Sequence, residues 1–125
     1  MINAMESLKD VKLEFEDENV GVAIVRRSLE VPLKKIAENA GQDGAVVLET
    51  VRRQQTEKKN KSFGYDVMRG EYVDMIKAGI IDPAKVTKGA LENAASIASM
   101  ILTTEALITD VPERDKPAPP PMPDY

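Results

Sequence analysis

Residues 80–104 read IIDPAKVTKGALENAASIASMILTT, and this stretch decides the fold class. Val86, Ala90, Leu91, Ala94, Ala95, Ile97, Ala98, Ile101 and Leu102 recur at the spacing of one face of an α-helix. Asp82 before Pro83 is a helix-start signature. The carboxylate can accept from a free first-turn N–H, and a proline there gives up no hydrogen bond. The pattern predicts a helix over 83–103. Its face is built largely from alanine, so another helix can approach closely, and the helix is expected to be central to the packing.

Working upstream, Glu71–Ala78 reads as a short helix stopped by Gly79. Phe63-Gly64-Tyr65-Asp66-Val67 reads as a brief extended stretch, with Tyr65 and Asp66 at an Asx-type turn and the ring half-buried. Residues 52–61, RRQQTEKKNK, are polar, basic and without periodicity. They are expected to be a solvated loop rather than a phosphate or nucleic-acid site. A short helix is expected at 44–53, and a helical pattern at 17–40 that Pro32 kinks or restarts and Gly41 ends. The acidic run Glu14–Asn19 suits a helix entrance, and residues 1–12 read as a helix with one apolar stripe. Downstream, Glu105–Val111 alternates like a short strand bounded by Pro112, yet no second strand of matching strength is present. Residues 112–125 hold six of the eight prolines, which suits a disordered, extended tail.

Composition narrows the chemistry. The chain has 125 residues with no cysteine and no histidine, which removes thiolate or histidine metal sites and Ser-His-Asp triads. No tryptophan, 4% aromatics and a net charge of −4 argue against a nucleic-acid partner. No apolar run is long enough for a membrane, and the N-terminus is not a signal peptide, so a soluble, cytoplasmic chain is expected. No Gly-rich phosphate cradle is present, and sequence alone brings no carboxylate pair together. Asp82 reads as a helix cap, while Lys34 and Asp43 read as exposed charges.

Beyond these local readings, Glu71–Thr87, Ala90–Ala98 and Leu102–Asp110 resemble runs of GroEL-type (group I, 60 kDa) chaperonins. Glu16–Gly21 and Leu29–Ile36 resemble the same family in the same order. The resemblance covers residues 1 to about 111 and implies the C-terminal part of the equatorial domain, an incomplete domain, followed by the tail 112–125. The implied fold is mainly α and multihelical, with a short C-terminal β-strand that pairs outside this segment. Met1 would fall just after the family's Gly-rich nucleotide-contacting turn.

The resemblance also assigns roles. Asp66, Val67 and Met68 stand where the family contacts the nucleotide base, usually as Asn-Ala-Ala, and Asp82 matches a nucleotide-contacting aspartate. Glu16, Lys34 and Asp43 stand at inter-ring contacts, with Lys34 replacing what is often arginine and so losing the bidentate fork. The implied cofactor is ATP with magnesium. The phosphate loop, the metal ligands and the catalytic aspartate lie outside this chain, as does the domain that binds unfolded polypeptide and co-chaperonin. The implied assembly is a homo-oligomeric double seven-membered ring that folds proteins by ATP-driven switching. Alone, the segment is expected to be inactive. The alternative is a stand-alone helical module that binds chaperonin rings without ATPase activity. The Pro-rich tail replaces the family's Gly-Gly-Met tail, and residues 52–61 form a longer, more basic loop than some members have.

Overall fold

The computed structural model describes residues 1–110. The expected tail at 112–125 lies outside the described residues. The fold is mainly helical. A 3₁₀ segment at Ile2–Leu8 leads to α1 (Glu16–Ser28), α2 (Val31–Asn39) and α3 (Gly44–Glu57). A hairpin of β1 (Phe63–Asp66) and β2 (Glu71–Asp74) follows, then α4 (Ala84–Leu102). Met1–Thr87 is one compact unit and a second begins at Lys88, inside α4.

Each helix start follows from local chemistry. Glu16, Asp17 and Glu18 fill the first turn of α1, and Arg26 and Arg27 its last, so both ends complement the helix dipole. The Glu18 carboxylate accepts from the Phe15 N–H at 3.4 Å. Pro32 does not kink a long helix. It sits in the first turn of α2, where a missing N–H is harmless. Gly41 ends α2 with φ +74°, a backbone region that L side chains resist. Asp43 caps α3 by accepting from the N–H groups of Ala45 at 2.8 Å and Val46 at 3.1 Å.

The core lies between α2, α3 and the hairpin. Ala37, Val47 and Val51 form its buried cluster, with Leu33, Tyr65 and Tyr72 packed against it. Antiparallel pairing sets Tyr65 opposite Tyr72, with ring centroids 5.0 Å apart and planes tilted by 48°. The Gln55 side chain ties α3 to the hairpin, donating to the Lys61 carbonyl at 3.1 Å and the Phe63 carbonyl at 2.8 Å.

Four expectations are corrected. Residues 71–74 are a strand, not the start of a helix. Tyr72 stacks across the hairpin, and the Asp74 carboxylate accepts from the Ile76 and Lys77 N–H groups, closing a turn where a helix would have continued. Helix α3 runs on through Arg52–Glu57 because Arg, Gln and Glu are good helix formers and Arg52 is anchored to Glu30. The N-terminal helix is confined to Ile2–Leu8 and is of the 3₁₀ type. Residues 105–110 form no strand, for a lone strand leaves its backbone groups unpaired, and the one described sheet is the β1–β2 hairpin. Helix α4 itself is present as expected, although none of its residues is buried.

Glu30 joins the helices electrostatically. Its carboxylate meets Lys34 Nζ at 2.7 Å and Arg52 Nη2 at 3.0 Å. The Lys34 ammonium, then the Arg52 guanidinium, hold Glu30 below its ordinary value of 4.5, against the opposing effect of partial burial. A lowered folded-state value stabilises the fold above the unfolded value, and that stability is lost as pH falls through the folded value. Acid titration of the chain should therefore remove about 1 kcal/mol through this group as the pH drops below that ordinary value. Glu30→Gln should flatten that part of the pH–stability profile in urea denaturation, and an unchanged profile would remove Glu30 from the acid response.

Candidate functional site

A groove of about 570 Å³ opens beside the core, and its lining is mainly apolar. Leu33 on α2, Val51 on α3 and Tyr65 on β1 form its floor and sides. Val67, from the hairpin loop, and Asp82, from the segment before α4, line the same groove. These two residues lie fifteen positions apart in the chain, and the hairpin with the turn at 75–79 brings them to one cavity. Ile76 and Ile80, from that turn and just after it, add apolar wall.

Asp82 is exposed and, among the described residues, makes no hydrogen bond to the start of α4. The expected cap is therefore not formed. The helix begins one residue later, with the Pro83 carbonyl accepting from Val86 and Thr87. Among the described residues, the Asp82 carboxylate has no hydrogen-bond partner.

Asp66 is differently placed. Its side chain is 6% exposed, and one carboxylate oxygen accepts from the N–H groups of Met68 at 2.9 Å and Arg69 at 3.3 Å. This is the Asx-type turn expected from the sequence, with the Tyr65 ring half-buried beside it. The Asp66 carbonyl accepts from Gly70 at 2.8 Å, and Gly70 takes φ +71° to reverse the chain. Met68, at the tip of this loop, is 91% exposed and is not among the residues lining the groove. Of the four expected nucleotide residues, the fold therefore gathers Val67 and Asp82 into the groove, uses Asp66 to shape the loop, and leaves Met68 outside.

Lys34 and Asp43 are neighbours in the fold. A side chain on Gly44 would stand 2.8 Å from the Lys34 backbone, so α2 and the cap of α3 meet at that point. Lys34 is engaged by Glu30 and Asp43 by its own helix start. Glu16 opens α1, and no described hydrogen bond or ion pair joins it to the other two.

Several contributors are invisible to motif reading. Gly44 and Lys34 touch because their helices cross there, which no local pattern reports. The Glu30–Lys34 half of the ion-pair trio had a signal in its four-residue spacing, whereas Arg52 reaches Glu30 across the fold. Ile76 and Ile80 were obscured by the helical reading of 71–78.

The groove's lining is mainly apolar, and Asp82 is its one carboxylate. Its one cationic lining residue, Lys61, is paired with Glu6. Among solved structures, the chain is similar to the open-state monomer of a group II chaperonin from Methanococcoides burtonii, with a TM-score of 0.69 and 32% identity. The match covers 82% of this chain and 25% of that one, so the chain spans about a quarter of that subunit's length. That neighbour is a group II member, whereas the quoted motifs resemble group I, so the family rather than the group is common to both. The TCP-1/cpn60 chaperonin family model matches residues 2–112. With nearly the whole length matched and the helical equatorial fold in place, the chain belongs to the TCP-1/cpn60 chaperonin family.

Proposed function

We propose that this chain is the C-terminal equatorial segment of a cytoplasmic, group I-type chaperonin subunit, and that it supplies one wall of the ATP pocket. The observation that carries this reading is the meeting of Val67 and Asp82 in one apolar groove. An apolar wall suits a purine base, and a free carboxylate suits the ribose hydroxyls. The triphosphate needs a cradle of backbone N–H groups and magnesium ligands, which segments outside this chain would provide.

In the complete subunit, ATP binding and hydrolysis would bias the conformations of a double seven-membered ring, alternating capture and encapsulation of unfolded polypeptide with a co-chaperonin. Lys34 and Asp43 would present their charges at the ring–ring contact, held in place by the α2–α3 junction, and Glu16 would join them from α1. The group I assignment is supported by the runs Glu71–Thr87 and Ala90–Ala98.

Asp82→Ala tests the pocket. In a chaperonin subunit carrying this segment, ATP affinity should fall about tenfold or more, the effect of one lost hydrogen bond to a charged group. The fold should be unaffected, because Asp82 is exposed and does not cap α4. Unchanged ATP affinity would sink the assignment.

A further inference from the structure

A second cleft, of about 530 Å³, lies between the 3₁₀ segment, the end of α1 and the C-terminal half of α3. Lys9, Arg26, Arg52, Lys59 and Lys61 line it, against a single carboxylate, Glu6. Three of these five cations come from the basic run that reads as an ordinary solvated loop. The fold instead turns them, with Lys9 and Arg26 from other elements, toward one cavity.

The local electrostatics are unbalanced. Lys61 pairs with Glu6, and Arg52 pairs with Glu30 at 3.0 Å. Among the described residues, Lys9, Arg26 and Lys59 have no carboxylate within ion-pair distance. Arg26 is half-buried, and no described carboxylate lies within ion-pair distance of it. Lys59, which lines the cleft, holds φ +48° as it closes the end of α3, its N–H donating to the Thr56 carbonyl at 3.2 Å and that of Asn60 to the Gln55 carbonyl at 3.0 Å.

We propose that this cleft binds a polyvalent oxyanion, a short chain of phosphate groups. Guanidinium groups match phosphate oxygens through paired N–H donors, and ammonium groups add charge. No aromatic side chain lines the cleft, so it offers no platform for a base. Its ligand is therefore the phosphate chain and not a nucleoside. The cleft adjoins the groove and shares Ile2, Asn3, Gln55 and Lys61 with it, but it contains neither Val67 nor Asp82.

Titration of the chain with inorganic tripolyphosphate at low salt, followed by calorimetry, tests this. Saturable binding should weaken about tenfold in Arg26→Gln and strengthen in Glu6→Gln. Lys59→Gly removes a charge while relieving the backbone, so it should weaken binding without unfolding the chain. Lys35→Gln, on α2 and away from the cleft, should have no effect, and neither should Asp82→Ala. ATP should bind here no more tightly than tripolyphosphate. Absence of saturable binding, equal losses in Arg26→Gln and Lys35→Gln, or full affinity in folded Lys59→Gly would overturn the proposal. Loss of tripolyphosphate binding in Asp82→Ala would also overturn it, by placing the anion in the nucleotide groove.

Discussion

Gly44→Ala should lower the unfolding free energy by about 2 kcal/mol, the usual cost of forcing an extra methyl into a packed contact. The new Cβ would stand 2.8 Å from the Cα, Cβ and carbonyl oxygen of Lys34. Two of these atoms are backbone, so a side-chain rotation cannot relieve the clash, and α2 and α3 must separate. Alanine's helix propensity returns at most about 1 kcal/mol, and less at the first residue of a helix. Separation would also loosen the core, because Ala37 on α2 packs against Val47 and Val51 on α3. Urea denaturation should show the loss as a lower midpoint with little change in slope. A midpoint equal to that of the parent chain would mean that the junction is looser than the structure shows. Lys34 and Asp43 flank this junction, so the same substitution should also weaken ring pairing if those charges form the contact between rings.

Asp66→Ala should cost about 2–3 kcal/mol. The side chain is 6% exposed, and its removal takes the acceptor from the Met68 and Arg69 N–H groups in a loop that these bonds and Gly70 shape. Asp66→Asn keeps a carbonyl oxygen in the same place, so it should retain most of the stability. The Arg69 ion pair contributes little to either change, because it is 3.8 Å long and Arg69 is 71% exposed. The pair of variants separates two roles for this carboxylate. If its oxygens serve the turn, alanine destabilises and asparagine does not. Full stability of Asp66→Ala would mean that the hairpin loop forms without it. Disrupting the loop should also move Val67 off the groove, so nucleotide affinity should fall indirectly in the alanine variant.

Much of this was legible in local chemistry. The Asp66 turn, the Pro32 start of α2, the Gly41 stop and the acidic entrance of α1 depend on a few adjacent residues, and the structure shows all four. Helix α4 was legible for the same reason, its alanine-rich periodicity being longer than any competing pattern. Its place in the packing was not, because none of its residues is buried within this chain.

The 71–74 strand was hidden by competition. Val73 and Ile76 fit a helical spacing, but Tyr72 gains a ring contact only when paired with Tyr65 across the hairpin. The extension of α3 was hidden by its polarity, since Arg52 finds its partner, Glu30, 22 positions away. The expected strand at 105–111 carries the right alternation, yet a strand is made by its neighbour, and the described residues supply none. The groove followed the same division. Asp82 was marked by motif and by resemblance, whereas its company with Leu33, Val51 and Ile80 exists only in the folded chain.

The most direct measurement of the central claim is ATP binding by a chaperonin subunit that carries this segment, with aspartate, asparagine or alanine at position 82. An Asp82 carboxylate that holds the ribose predicts tight binding by the parent, partial loss in Asp82→Asn and a loss of about tenfold or more in Asp82→Ala, with the folded structure intact in all three. Equal ATP affinity across the series would contradict the claim that this groove is a wall of the nucleotide pocket.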